Sequence, residues 1–226
     1  MGKKLFITGI GRGIGKGLVE LYLKEGWEVF GVGRSNPFGK EVEFVYLDLR
    51  SFEKIWEKLE GWSQTKFDLA ILNAGILGEI KELREWSIWE LEEVMGVNVW
   101  ANKVLIDWLG KRVEKIVAIS SGAGVNGNRG WGGYSISKAS LNMLVKIYSQ
   151  EITPSIYALA PGVIETDMVR KVISGDKTKF PSLHRVDQGK VSLQKGVEMV
   201  KRGIELLDRY PSGSYVDVRD LPLALR

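Results

Sequence analysis

The alternation of short apolar runs with longer amphipathic segments is the feature that most constrains the fold of this chain. Six apolar runs lack strict polar alternation, as strands covered on both faces do: Leu5–Ile7, Val29–Val32, Phe44–Leu47, Leu69–Leu72, Ile116–Ile119 and Ile156–Ala160. Segments with helical periodicity separate or follow them: Gly15–Glu25, Ser51–Leu59, Ile88–Leu109, Ser135–Gln150 and Gln194–Leu207. A last strand is predicted at Ser214–Val218. Strands alternating with helices predict an α/β fold, a doubly wound, seven-stranded parallel sheet with helices on both faces.

The chain length and composition favour one domain. With 226 residues, no linker and no internal repeat, residues 1–226 suit a single α/β domain with one sizeable core. Only Ser174–Lys190 shows little periodicity and reads as irregular. Because long loops in compact domains are often functional, we predict a substrate lid over about residues 167–192.

A glycine-rich turn follows the first strand. Gly9, Gly13 and Gly15 form a Gly-x-x-x-Gly-x-Gly pattern, and Lys16 stands where the common Gly-x-Gly-x-x-Gly form would place its last glycine. Glycines at a strand-to-helix turn let the backbone approach a pyrophosphate, which the free N–H groups of the helix then bind. The turn therefore predicts a dinucleotide site.

The end of the second strand indicates which dinucleotide. A carboxylate roughly 20 residues beyond the glycines would bind the ribose 2′-hydroxyl of NAD. Here the strand ends in Gly33-Arg34-Ser35, without a carboxylate. Arg34 and Arg12 can instead pair with a 2′-phosphate. NADP(H) is the preferred cofactor, and NAD(H) is the alternative.

A tyrosine and a lysine share one face of a predicted helix. Tyr134 and Lys138 are four residues apart, so they are neighbours on the helix surface. An ammonium beside a phenol stabilises the phenolate and lowers a pKa that is normally near ~10. Upstream, Ser120 and Ser121 follow a buried-type strand, and a serine hydroxyl there can donate to a substrate carbonyl.

Together these motifs resemble the short-chain dehydrogenase/reductase family, from Lys3 to about Asp217. The resemblance implies a Rossmann fold and selects Ser121 over Ser120, because the family's serine precedes its tyrosine by thirteen residues. The end of the chain, Ser212–Asp217, is similar to that of sepiapterin reductase-like and benzil reductase-like members. The implied catalytic residues are Asn98, Ser121, Tyr134 and Lys138.

The resemblance also implies roles. Tyr134 is the general acid in reduction and the general base in oxidation, Lys138 lowers its pKa and holds the nicotinamide ribose, and Ser121 orients the carbonyl. Asn98 anchors a water that relays protons, and Asp48 contacts the adenine. Motif matches and local reasoning give the predicted cofactor-binding residues: Thr8, Gly9, Arg12, Gly13, Ile14, Gly15, Arg34, Ser35, Asp48, Leu49, Asn73, Ala74, Gly75, Tyr134, Lys138, Pro161, Gly162, Val163 and Thr166.

The predicted substrate pocket combines catalytic groups with apolar neighbours. Trp131 lies three residues before the tyrosine, and two further residues lie near the nicotinamide turn. The pocket residues are Ser121, Trp131, Tyr134, Ile164 and Met168. The expected substrate is a small carbonyl or alcohol.

Composition excludes other classes. The chain has no cysteine and one histidine, His184, so we expect no metal site. Its net charge of +4 comes from Lys and Arg interspersed with 28 acidic residues, which argues against a nucleic-acid partner. No apolar run is long enough for a signal segment or a membrane span, so we expect no membrane association and a cytoplasmic location. The family resemblance implies a homodimer or homotetramer.

The sequence thus predicts an NADP(H)-dependent oxidoreductase that transfers hydride between nicotinamide and a small carbonyl or alcohol. An oxidative alcohol or sugar dehydrogenase with the same residues is an alternative. A catalytically silent NADP-binding sensor or scaffold is another, since a fold alone does not establish a function. The intact set of four catalytic residues weighs against the sensor.

Overall fold

The apolar runs form the strands of one sheet in the computed structural model, which describes residues 2–222. All seven strands are parallel and hydrogen-bonded in the order β3-β2-β1-β4-β5-β6-β7. Their bounds are β1 Lys4–Thr8, β2 Glu28–Gly33, β3 Glu43–Tyr46, β4 Phe67–Leu72, β5 Val113–Ile119, β6 Ser155–Ala160 and β7 Tyr215–Asp217. The predicted seven-stranded, doubly wound Rossmann-type sheet is confirmed.

The helices cover both faces of the sheet. Their bounds are α1 Gly13–Lys24, α2 Ile55–Lys58, α3 Ile88–Met95, α4 Ala101–Leu109, α5 Ala123–Asn126, α6 Gly132–Tyr148, α7 Asp167–Ile173, α8 Ser182–Gly189 and α9 Leu193–Leu206. Side chains of successive strand residues point to opposite faces, so Phe6 packs in the core under α4 and α6, and Leu5 and Ile7 pack in the core under α1 and α9. The sheet is therefore buried on both sides, which explains the continuous apolar runs.

The winding direction of the chain reverses between β1 and β4. The chain starts in the middle of the sheet, proceeds outward to β3, and returns to pair β4 with the other side of β1. Ligands of open parallel sheets bind at the carboxyl ends of the strands where this reversal leaves a crevice. The topology thus places the candidate site above the ends of β1 and β4.

The long helix predicted at Ile88–Leu109 is divided by a π-helical turn. Residues Gly96–Trp100 form that turn between α3 and α4, and Asn98 lies at its centre. A π turn inserts one residue into a helix and is frequent at functional sites. The predicted helix at Ser51–Leu59 is likewise shorter, with a single α-helical turn at α2.

The stretch Ser174–Lys190, predicted to be irregular, contains helix α8. Its sequence is largely polar, and only Leu183 and Val186 provide an apolar face, three residues apart. Both pack in a small cluster with Val172 of α7 and Phe180. Two apolar residues are too few to produce a periodic signal, and packing against this cluster stabilises the helix.

No helix within residues 2–222 combines the length and the apolar character needed to cross a lipid bilayer.

The ends of β1 and β4 are joined through Thr8 and Asn73. The Thr8 hydroxyl is fully buried and accepts hydrogen bonds from the backbone N–H groups of Asn73 and Ala74, both at 3.0 Å. The Asn73 amide in turn donates to the carbonyl oxygens of Thr8 and Gly9, at 3.0 and 3.2 Å. These four bonds hold the glycine turn against the end of β4.

We predict that Thr8→Val destabilises the fold by about 1–3 kcal/mol, because it removes the buried acceptor of two N–H groups. Thr8→Ser keeps the hydroxyl and serves as the matched control, with a smaller loss that reflects one missing methyl group. Denaturant unfolding of both variants measures the difference in free energy. Equal destabilisation by the two variants would contradict the importance of the hydroxyl.

Candidate active site

The glycine turn forms a cradle at the start of α1. Gly9 and Gly13 have positive φ angles of 76° and 57°, which side-chain-bearing residues rarely adopt. A Cβ on Gly15 would overlap the carbonyl oxygen of Gly9, so the helix packs directly on the turn. Within residues 2–222, no side chain caps the first N–H groups of α1, and its N-cap residue Arg12 is extended. Free N–H groups and the positive end of the helix dipole make this cradle a suitable site for a pyrophosphate.

One cleft of about 1160 Å³ extends from this cradle to Tyr134. It is larger than typical ligand pockets of roughly 300–1,000 Å³ and has room for a dinucleotide together with a substrate. All the predicted cofactor and substrate residues line it except Thr8 and Gly15, which lie behind the turn. The predicted catalytic residue Asn98 also lies outside the lining.

Two arginines lie at the cradle end with exposed guanidinium groups. Arg12 is 3.6 Å from a carboxylate oxygen of Asp167, and Arg34 is 3.9 Å from one of Asp48. Their side chains are 75% and 56% exposed, and neither pair is close enough for a hydrogen bond. Ser35 packs against Gly11 of the turn. Both guanidinium groups therefore keep their donors available to an anionic ligand.

Asp48 is held by Arg50, a residue that the sequence analysis missed. The Arg50 side chain donates to both carboxylate oxygens, with its shortest bond at 2.6 Å, and lowers the pKa of Asp48 below its usual range. The signal was present in the sequence as an acid and an arginine two residues apart after a strand. Because Arg50 binds the Asp48 carboxylate, Asp48 competes little with an anionic ligand for Arg34.

At the other end of the cleft, α6 carries Tyr134 and Lys138 on one face. The Lys138 Nζ lies 5.7 Å from the centre of the Tyr134 ring and donates to the carbonyl oxygen of Ile119 at 2.7 Å. Lys138 is only 3% exposed, and burial lowers its pKa to about 8. An ammonium so poorly solvated interacts strongly with any negative charge that develops on the neighbouring phenol.

The two serines after β5 have different partners. Ser120 is buried, and its hydroxyl donates to the side-chain oxygen of Asn142 at 2.5 Å. Both serines line the cleft, and the Ser121 hydroxyl accepts from the N–H of Ala123. Burial raises the pKa of the Tyr134 phenol, and the neighbouring Ser121 hydroxyl acts in the opposite direction. The structure thus brings Ser121 to Tyr134 and commits Ser120 to packing on α6.

Asn98 joins three segments behind this site. Its side-chain oxygen accepts from the N–H of Ile76, and its amide nitrogen donates to the carbonyl oxygen of Ile76 and to the Ser137 hydroxyl, at 2.8–2.9 Å. Its own carbonyl oxygen accepts from Asn102 at 2.7 Å. Both amide hydrogens are in use, so Asn98 fixes α6 relative to the loop after β4.

The predicted pocket residues differ in how they face the cleft. Trp131 and Met168 pack beside Tyr134 around an apolar cluster formed with α7 and α8. The Trp131 indole N–H donates to the Ser182 hydroxyl at 2.9 Å, which ties α8 to the start of α6. Ile164 is 2% exposed, and its side chain packs on Gly196 in the core. Trp131 and Met168 thus contribute apolar surface to the cleft beside Tyr134.

The short chain dehydrogenase family matches residues 3–177 of this chain. The 3-oxoacyl-(acyl-carrier-protein) reductase of Aquifex aeolicus is 31% identical over 206 residues, which are 79% of this chain and 81% of the relative. An (S)-benzoin-forming benzil reductase of Saccharomyces cerevisiae is 33% identical over 198 residues, 76% of this chain and 75% of the relative.

The chain therefore belongs to the short chain dehydrogenase family, and it is an oxidoreductase of the kind that acts on CH–OH or carbonyl groups with a nicotinamide cofactor. The predicted resemblance, including that to the benzil reductase-like branch, is confirmed. A solved short-chain dehydrogenase/reductase of Burkholderia multivorans with bound NADP has the same fold. It is 21% identical with a TM-score of 0.77, and the match covers 98% of each chain.

The buried lysine predicts a specific dependence of stability on pH. Because the pKa of Lys138 is about 8 when folded and near 10.4 when unfolded, the unfolded chain binds more protons between those values. The free energy of unfolding therefore gains about 2 kcal/mol from this residue as the pH rises from 8 to 10.

Lys138→Met removes this contribution and leaves the other titrating groups in place. Denaturant unfolding of wild type and variant at intervals from pH 7 to pH 10 measures the difference. The wild type is expected to gain stability relative to the variant across that window. Parallel curves would show that Lys138 keeps an ordinary pKa in the folded chain.

Proposed function

We propose that this chain is an NADP(H)-dependent reductase of small carbonyl compounds. The observation that supports the proposal most directly is one continuous cleft with two chemically distinct ends. One end holds the glycine cradle with Arg12 and Arg34, and the other holds Ser121, Tyr134 and Lys138. A dinucleotide whose phosphates lie in the cradle can reach the phenol along this cleft.

The catalytic roles follow from the contacts of each side chain. Tyr134 donates its proton to the carbonyl oxygen in reduction and accepts it in oxidation. Lys138 stabilises the phenolate through its poorly solvated ammonium, and Ser121 donates to the same carbonyl oxygen. Asn98 holds α6 in position, and its role in a water relay stays a prediction. The nicotinamide supplies the hydride.

Reduction of carbonyls is favoured by the relatives and by the pocket. Two similar proteins are named as a benzil reductase and a 3-oxoacyl-(acyl-carrier-protein) reductase, and both names describe ketone reduction. Trp131 and Met168 offer apolar contact to the substrate beside the phenol. Burying Lys138 next to Tyr134 lowers the stability of the fold. A protein that only senses NADP would gain no function in return for that loss.

NADP(H) is favoured by the charges at the cradle end. At the end of β2, Arg34 and Ser35 occupy positions where a carboxylate would repel a 2′-phosphate. The negative charge of the nearby Asp48 is compensated by its ion pair with Arg50. Solved structures with the same fold contain NADP. The proposed cofactor is therefore NADP(H), with NAD(H) bound more weakly.

We extend the proposal to a homodimer or homotetramer. Helices α3 and α6 pack against each other and carry exposed apolar side chains. These are Ile88, Trp89, Ile136, Met143 and Ile147. Large apolar groups that are exposed on neighbouring helices are typical of surfaces covered in an assembly.

Tyr134→Phe is expected to lower kcat for carbonyl reduction by about 10²–10⁴-fold, because it removes the general acid. Oxidation of NADPH with benzil as substrate measures the rate, and cofactor fluorescence measures binding. The variant should still bind NADPH. A wild type that binds NADPH but turns over no aldehyde, ketone or diketone would support the sensor, and an active variant would exclude Tyr134 as the acid.

Arg34→Gln is expected to raise the dissociation constant for NADPH by about 10–100-fold, which corresponds to the loss of charge-assisted bonds to a phosphate. NADH lacks that phosphate and serves as the matched control ligand, so its affinity should stay within about threefold. Fluorescence titrations of both cofactors make the comparison. An equal loss for NADPH and NADH would show that Arg34 does not bind the 2′-phosphate.

A further inference from the structure

An arginine that the sequence analysis did not single out lies at the substrate end of the cleft. Arg219 follows the edge strand β7 and lines the cleft together with Ser121 and Tyr134. Strand β7 ends at Asp217, whose register partner is Ala160, the last residue of β6. Arg219 therefore extends from the carboxyl edge of the sheet, where ligands of parallel sheets bind.

Asp217 orients the guanidinium group. Its carboxylate is 6% exposed and accepts from Arg219 Nε at 2.8 Å, from Nη2 at 2.6 Å and from the backbone N–H at 3.0 Å. These contacts use one edge of the guanidinium plane. A guanidinium has five N–H donors, and within residues 2–222 Nη1 has no hydrogen-bond partner. The Nη1–Nη2 edge, on a side chain that is 55% exposed, is left to bind a second group.

Two glycines show where the Arg219 side chain lies relative to the turn that carries Ser121. A Cβ on Gly122, the residue after Ser121, would lie 3.3 Å from Arg219 Nη2 and 3.4 Å from the side-chain nitrogen of Asn126. A Cβ on Gly162 would lie 3.5 Å from Arg219 Cγ. The Arg219 side chain thus lies between the turns after β5 and β6. Hydrogen-bond donors from Arg219 and Asn126 lie next to Gly122, the residue that follows Ser121.

A purely structural role explains this arrangement poorly. The Asp217–Arg219 pair joins residues two positions apart, so it does not connect separate elements of the fold. Taking the Asp217 carboxylate out of water carries a desolvation cost that an apolar or amide pair would avoid. A fixed, half-exposed guanidinium in a ligand cleft is instead suited to recognise a carboxylate, because the planar fork matches it with two parallel hydrogen bonds.

We propose that Arg219, oriented by Asp217, binds a carboxylate of the substrate, so that the preferred substrates are oxo acids with the acid group a few bonds from the reacting carbonyl. This inference rests on the proposed function, because it takes Ser121 and Tyr134 as the groups that bind the carbonyl. The apolar part of such a substrate packs on Trp131 and Met168. Arg219 is then a specificity-determining residue, and the neutral diketones of the benzil type are secondary substrates.

Benzoylformate and its methyl ester are the matched probes, since the ester replaces the negative charge with a methyl group and keeps the rest of the molecule. For the wild type with NADPH we expect a kcat/KM for the acid at least tenfold above that for the ester. Arg219→Gln should lower the value for the acid by about 10–100-fold, the usual effect of a bidentate charge-assisted contact. The value for the ester and the dissociation constant for NADPH should change less than threefold.

Two further variants keep the test independent of folding and of net charge. Asp217→Asn/Arg219→Gln avoids an unpaired buried carboxylate and should show the same selective loss as the single variant. Arg202→Gln removes one positive charge from α9 at an exposed position and should leave both substrates unaffected. An equal loss for acid and ester, a parallel loss of NADPH affinity, or a similar loss in Arg202→Gln would overturn the proposal.

Calorimetric binding of benzoylformate and its ester to the protein with NADP⁺ separates this inference from the proposed function. Binding of the acid that depends on Arg219, without turnover of any carbonyl, would retain the recognition site and reject the reductase. Reduction of neutral carbonyls without a preference for the acid would retain the reductase and reject the recognition site.

Discussion

The geometry of the site depends on the hydrogen bonds of the Asn98 side chain. The π-helical turn places this amide between the loop after β4 and helix α6, where it is fully buried and bonded to Ile76 and Ser137. A buried amide with every N–H satisfied has few alternative arrangements, because each lost bond leaves a polar group without solvent. Ser137 precedes Lys138 directly, so this contact also fixes where the lysine enters the cleft. The loop after β4 adjoins the glycine cradle, and helix α6 carries the phenol. The Asn98 contacts thereby hold the cradle and the phenol in one arrangement.

Burial of Lys138 is the main energetic cost within that arrangement. Its ammonium has one backbone acceptor, the carbonyl of Ile119, and desolvation lowers its pKa to about 8. The same desolvation makes the charge effective, since an ammonium surrounded by water would hardly influence a neighbouring phenol. The fold therefore carries a destabilising group where the proposed chemistry needs one, a trade between stability and activity found at many active sites. The extensive two-sided core supplies the stability that offsets it.

The sequence predicted those features that depend on local pattern. Continuous apolar runs predicted the parallel sheet, and the glycine spacing predicted the cradle, because only glycine adopts the positive φ angles of Gly9 and Gly13 without strain. Features set by long-range packing were missed. Helix α8 depends on two apolar side chains that find partners on α7, and the π turn depends on a contact from Asn98 to a loop 22 residues away. Arg219 could not be predicted from the sequence, because its position near Ser121 depends on the paths of three separate strands.

An Asp-x-Arg pair stands at each end of the cleft. At each edge strand of the sheet, an aspartate that follows or ends the strand holds an arginine two residues later: Asp48 with Arg50 after β3, and Asp217 with Arg219 after β7. A carboxylate bound along one edge of a guanidinium fixes its plane. The outer Nη1 of Arg50 lies 3.5 Å from a carboxylate oxygen of Glu93, whereas Nη1 of Arg219 has no hydrogen-bond partner within residues 2–222. Arginines held in this way present directed donors without the entropy loss that a mobile side chain suffers on binding. The two pairs therefore act differently. Arg50 holds Asp48 and leaves Arg34 as the proposed phosphate donor, whereas Arg219, fixed by Asp217, is itself the proposed donor to the substrate carboxylate. The uncharged Ser121 and Tyr134 stand where the carbonyl is proposed to react.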